Sequence, residues 1–212
     1  GLLPAGQGGP QDLAAALDNI FNHPNVGPFI AKQLIQKLVT SNPSPAYVRR
    51  VAERFNNDGT GRRGNLEAVV RAILLDTEAR GAPSGANAGK VKEPLLRLTQ
   101  FWRAYGARAA SGRYAVQAGN FPGGVSGIFG QGPGQSPSVF NFFSPFYAPP
   151  GEIATGNLVA PELQLATEFL NTQVTNFFWT QAIARTTAQT TLGADIMFID
   201  TTAEQGLVAD SG

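Results

Sequence analysis

The stretch Val26-Gly27-Pro28-Phe29-Ile30-Ala31-Lys32-Gln33-Leu34-Ile35-Gln36-Lys37-Leu38-Val39-Thr40 decides the fold class. Val26, Phe29, Ile30, Leu34, Ile35 and Leu38 recur at three- and four-residue steps, and Lys32, Gln33, Gln36 and Lys37 fill the other face, the spacing of an amphipathic α-helix. Upstream, a Gly/Pro-rich lead-in (residues 1–10) precedes the same pattern in Leu13, Leu17, Ile20 and Phe21. His23-Pro24 stops that helix, because the residue before a proline is pushed out of the α region. Downstream, Ser44 supplies an N-cap and Pro45 a first-turn proline for a third stripe, Tyr47, Val48, Val51 and Phe55. Asn65 caps a fourth helix carrying Leu66, Val69, Val70, Ile73 and Leu74. Four short amphipathic helices on short turns predict an all-α packing unit.

Residues 81–89, GAPSGANAG, read as a flexible surface link. Pro94 then opens a helix to Tyr105 with Leu95, Leu98, Trp102 and Tyr105 inward, Gly106 just past its end, and Glu93 and Arg97 spaced to pair. Between 111 and 160 there are 10 Gly and 6 Pro, yet also Phe140, Phe142, Phe143, Phe146 and Tyr147. A true linker would lack such aromatics, so an ordered loop is predicted, fixed through Phe140, Phe143 and Phe146, with Gly119–Gly134 its more mobile part. Pro161 opens the longest predicted helix, spanning 161–192, with Leu163, Leu170, Val174, Phe177 and Phe178 available to the core. A tail at 193–212 holds one short apolar run, Ile196–Ile199, that suits a brief strand. The expectation is a mainly α, irregular helical domain over residues 1–212. It has five to six helices, a basic helical part at 1–110, an ordered Gly/Pro/aromatic loop at 111–160 and at most one or two short strands.

A chain of 212 residues with 42% hydrophobic residues and a mean hydropathy of −0.09 has ample material for a packed interior. No apolar run approaches the roughly 18 residues of a membrane span. With no Cys and only His23, disulfides, thiolate nucleophiles, iron–sulfur clusters and multi-histidine zinc sites are excluded from these residues. The charges are segregated. Residues 1–113 carry 15 basic and 8 acidic side chains, a net +7, and the remainder carries 1 basic and 7 acidic, a net −6. Glu53, Glu67, Glu78 and Glu93 interrupt the basic residues, so solvated helix faces explain the asymmetry better than a nucleic-acid surface.

Read as an EF-hand loop, Asn56 to Glu67 places Asn56, Asp58 and Thr60 at positions 1, 3 and 5, Gly61 at 6 and Glu67 at 12. Asn at position 1, Arg63 at position 8 and two arginines against two carboxylates argue instead for a Gly/Asn-rich helix–helix turn without calcium. His23 reads as a helix-end residue whose side chain can meet the last carbonyls. Gly123–Gly132 lacks both the Lys-Ser/Thr of a phosphate loop and a G-x-S-x-G elbow. No catalytic residue, cofactor site or metal site can be assigned.

Several words resemble the bacterial family called domain of unknown function 1800. They are Phe21-Asn22-His23-Pro24-Asn25-Val26-Gly27-Pro28-Phe29-Ile30, Leu34 to Pro43, Gly64-Asn65-Leu66, Ala72 to Asp76, Lys92-Glu93-Pro94 with Arg97, Gln135 to Pro145, and Leu158 to Glu162. The resemblance covers about residues 5–170. It implies an exported (periplasmic or extracellular) protein of which this chain is the C-terminal part, lacking an N-terminal helical region, and it carries no activity to any residue. The family's version of the 56–67 word is a Gly-rich turn, which lowers the calcium reading further. The expected function is a non-enzymatic structural or interaction module working with protein partners, with no nucleic acid and no membrane span. The alternative is a carboxylate-based hydrolase of an extracellular polymer, for which Glu93, Glu152 and Glu162 are the first candidates, needing two acids about 5–9.5 Å apart in a cleft.

Overall fold

The computed structural model describes residues 3–82, 88–116, 124–139, 141–183 and 194–209. These residues form ten α-helices: α1 (Gly9–Phe21), α2 (Val26–Leu38), α3 (Pro45–Asn56), α4 (Leu66–Leu75), α5 (Thr77–Arg80), α6 (Pro94–Ala104), α7 (Gly124–Phe129), α8 (Glu152–Thr155), α9 (Glu168–Phe177) and α10 (Thr202–Ala209). A 3-10 turn (Pro161–Leu165) precedes α9 and a π turn (Phe178–Ile183) follows it. The protein is mainly helical, with isolated bridges but no strand among the described residues. The chain divides into two compact units, Gly1–Lys90 and Val91–Gly212.

In the first unit α2, α3 and α4 pack on one another around Ala31, Ile35, Tyr47, Val51, Ala52, Phe55, Val69 and Ile73. The caps are the expected ones: Ser44 Oγ accepts from the Tyr47 N–H at 3.1 Å, and Asn65 Oδ1 from the Ala68 N–H at 3.4 Å. The buried stripe of α2 is rotated from the one its large apolar residues suggest. Gly27, Ala31, Ile35 and Gln36 are buried, whereas Phe29 and Leu38 are exposed. Small residues explain the rotation, for a Cβ on Gly27 would lie 2.9 Å from Asn56 Oδ1 and 3.4 Å from the Ala52 carbonyl oxygen, leaving no room for a larger side chain. Gln36, expected in solvent, is buried and donates through Nε2 to the Ser41 carbonyl at 3.1 Å. On α4, Leu66 and Leu74 are likewise exposed while Val69 and Ile73 are fully buried.

A polar network ties the start of α3 to the end of α4. Arg50 donates from Nε and Nη2 to the two oxygens of Asp76, both at 2.7 Å. That bidentate bond is the main reason the Asp76 carboxyl titrates below its ordinary range. Asp76 caps α5 by accepting from the Glu78 N–H at 2.9 Å, and the Glu78 carboxylate accepts from the Ser44 N–H and hydroxyl. Tyr47 donates its buried hydroxyl to the Ile73 carbonyl at 2.7 Å; burial, then the charges of Asp76 and Glu78, push its pKa up to about 12.

In the second unit the core joins Leu98 and Trp102 of α6, Ile128 and Phe129 of α7, Val174 and Phe177 of α9, and Met197 and Ile199. Phe129 and Phe177 meet edge to face with centroids 5.1 Å apart. Gly106 follows α6 at φ +54, as its position past the helix end predicts. The run Ile196–Ile199 alternates as a strand does, with Met197 and Ile199 buried, and pairs through one bridge in which Arg108 and Phe198 exchange both backbone bonds at 3.0 Å.

Two expectations for this unit need correction. The helix predicted from Pro161 is not continuous: the 3-10 turn ends at Leu165, and α9 starts afresh because Thr167 acts as its N-cap, accepting from the Leu170 N–H at 3.2 Å. Residues 184–192 of that expected helix lie outside the described residues. In the 111–160 segment Phe143 is 5% exposed but Phe146 is 61% exposed, so the second of these does not anchor the loop. Phe140 and residues 119–123 lie outside the described residues. Ile128 and Phe129, in the stretch expected to be more mobile, are fully buried. Backbone bonds complete the anchoring, from the Ser144 N–H to Gln164 Oε1 at 2.8 Å and from the Ala160 N–H to the Tyr147 carbonyl at 2.9 Å.

Candidate functional site

Helix α1 is amphipathic, yet it buries none of its residues. Leu13, Leu17 and Ile20, apolar positions at helical spacing, are 61%, 56% and 61% exposed. A lone helix of 13 residues is marginal in water, and most helices of that length are held by burying their apolar face. Here the helix is held by its C-terminal end instead. The Phe21 ring lies 6.0 Å from Phe55, and the Arg63 guanidinium stands over both rings, 5.5 Å and 5.0 Å from their centroids. Arg63 also donates to the Phe21 and His23 carbonyls, both at 3.1 Å, and to Asn56 Oδ1. A cation bonded to the last carbonyls suits the negative end of the helix dipole.

Arg63 thus does what sequence reasoning assigned to His23. His23 Nδ1 instead accepts from the Asn25 N–H at 3.2 Å. Gly64 completes the clamp at φ +74, its bare α-carbon against the Phe21 ring. An Arg-Gly pair in a Gly-rich turn does not announce this role in sequence; the helix end it meets lies 40 to 42 residues away.

The same loop uses its would-be calcium ligands on itself. Asp58 Oδ1 accepts from the Thr60 N–H at 2.9 Å, the Thr60 hydroxyl at 2.7 Å and the Arg62 N–H at 3.3 Å, while Oδ2 accepts from Asn65 Nδ2 at 2.8 Å. These bonds, led by Asn65, hold the Asp58 carboxyl far below the usual carboxylate range. Asn56, at position 1, faces the Arg63 guanidinium rather than a cation site. Among the described residues no group of three or more His, Asp and Glu is arranged to hold a metal ion.

The three carboxylates considered for hydrolysis are not alike. Glu93 is buried before α6 and accepts from Gln131 Nε2 at 2.6 Å. Glu162 is buried in the 3-10 turn, and Glu152 is exposed at the start of α8. None of them lines the cavity of about 290 Å³ that the second unit carries beside Phe142, Phe143 and Phe146.

Fold and surface together define an all-α protein whose first amphipathic helix is clamped at one end and turns its apolar side to solvent. No described helix is long and apolar enough to cross a membrane. The chain belongs to the family described as protein of unknown function (DUF1800), whose model matches residues 3–207. No curated protein and no solved structure matches it at a significant level.

Proposed function

We propose that the chain is a non-enzymatic interaction module of an exported bacterial protein, and that α1 is the surface it offers to another polypeptide. One observation carries the reading: the apolar stripe of α1 stands in solvent while Arg63 fixes the helix in place. Exposed apolar stripes of this kind mark protein-interaction sites. The charged residues of α1 are Asp12 and Asp18, with no Lys or Arg, so the complementary partner surface is apolar and bordered by basic groups. Covering three Leu/Ile side chains that are now more than half exposed contributes about 3–5 kcal/mol to such a contact.

The chain has no cysteine, so Leu17→Cys creates a unique thiol on this face. Its maleimide labelling rate is compared between the isolated chain and native extract of the source cells, with Arg49→Cys as an exposed control on α3. Slower labelling of position 17 in extract, with position 49 unchanged, supports the reading. Equal rates at position 17 in both samples refute it.

A further inference from the structure

The cavity of about 290 Å³ lies within the second unit, and its lining includes Phe142, Phe143 and Phe146. Their exposure is graded: Phe143 is buried, Phe142 half-buried and Phe146 exposed. Among the described residues no charged side chain lines the cavity. Its polar groups include two carboxamides, those of Asn141 and Gln164. Gln164 accepts through Oε1 from the Ser144 N–H at 2.8 Å, which fixes its carboxamide at the cavity. Asn141 is held in its turn through its backbone N–H, which donates to the Ser138 carbonyl at 3.2 Å.

We propose that this cavity binds one aromatic side chain of a neutral, extended peptide segment, the ring against Phe142 and Phe146 and the adjoining peptide group on Asn141 and Gln164. Three features select that ligand. An apolar cavity of about 150 Å³ accommodates benzene, so this one admits a ring and the atoms that join it to a backbone. An uncharged lining offers no partner to an ion, which would lose its hydration uncompensated. A carboxamide presents one acceptor and a pair of donors, the match to a peptide group. Rings pack on the phenylalanines edge-to-face or offset, with an orientation the carboxamides can fix. The site does not depend on α1, which belongs to the other unit.

The full chain, labelled with nitrogen-15, is titrated with N-acetylphenylalaninamide and followed by backbone NMR. Parallel titrations use N-acetylphenylalanine, which differs by one carboxylate, N-acetylalaninamide, which lacks the ring, and glucose. The expected result is a saturable shift confined to residues 141–144, Phe146 and Gln164. Affinity falls about tenfold or more for the carboxylate, and neither the ringless amide nor glucose shifts those resonances. Phe146→Ser, a change at an exposed position, abolishes the shift with the thermal midpoint unaltered, and Gln164→Leu weakens it. No saturable shift, equal affinity for the carboxylate, saturation by glucose, or undiminished binding in Phe146→Ser would each overturn the proposal.

Discussion

Gly61 and Gly64 lie in one loop, both at positive φ, +93 and +74, but only one of them touches α1. A Cβ on Gly64 would stand 2.6 Å from Phe21 Cζ and 2.7 Å from Cε2, whereas one on Gly61 would meet nothing within 4 Å. Alanine at either position carries the left-handed backbone penalty of about 1–2 kcal/mol. Gly64→Ala must also displace the Phe21 ring from Phe55 and Arg63. The aromatic pair contributes about 0.5–1.5 kcal/mol beyond its buried area. The exposed cation–π contact contributes about 0.5–1 kcal/mol more. The expected loss is therefore about 1–2 kcal/mol for Gly61→Ala and about 2–4 kcal/mol for Gly64→Ala. The second loss falls on the attachment of α1 rather than on the α2–α4 core, which α1 does not help to fill. Amide hydrogen exchange reads this directly. In Gly64→Ala the α1 amides lose more protection than in Gly61→Ala, while those of Ile35, Val51, Val69 and Ile73 fall only by the backbone term that both substitutions share. Equal effects of the two substitutions, or opening of α2–α4 together with α1, would refute the clamp.

Phe143→Ala should destabilise the second unit by about 3–5 kcal/mol in urea denaturation, and Phe146→Ala should stay within about 0.5 kcal/mol of the parent, because only the first ring is buried. The Asp76 carboxyl is held by Arg50 below its ordinary pKa of 3.8, so its contribution is complete above that value and is lost as pH falls through the lowered folded pKa. The thermal midpoint should decline below pH about 4, less steeply in Asp76→Asn. Calcium titration should leave the thermal midpoint unmoved, in the parent and in Glu67→Gln alike, because Asp58 and Asn56 are spent on their own loop; a saturable rise lost in Glu67→Gln would contradict that.

Local chemistry was the legible part of the fold. Ser44-Pro45, Asn65 and Gly106 act within a few residues of themselves, so their caps and turns follow from identity and spacing. What depends on distant partners was not legible. The buried face of α2 is set by how closely α3 can approach Gly27, a contact with Ala52 and Asn56 that no pattern within 26–40 encodes. Thr167 is an ordinary helix residue by hydrophobic period, and only the turn of Pro161–Leu165 before it makes it a cap. Phe140, Phe143 and Phe146 share a composition, but nothing in their spacing sorted the buried Phe143 from the exposed Phe146.

The α1 stripe shows why the candidate site was harder to read than the helix that bears it. Leu13, Leu17 and Ile20 satisfy the same periodicity as Val51 and Phe55, because a helix meets an outside partner with the face it would turn to a core. Periodicity reports that an apolar face exists and says nothing of what covers it. Telling the cases apart takes a second observation, the groups that hold the helix. A core helix is held along its stripe, by the burial itself. α1 is held at its last turn, where one guanidinium bonds two carbonyls and stacks on two rings, and its stripe is left unused. Such an arrangement separates positioning from coverage, so the apolar face can be presented in a set orientation before any partner arrives. Pre-ordering of this kind lowers the entropy lost on association, and under the proposed function that is what clamping α1 by its end contributes.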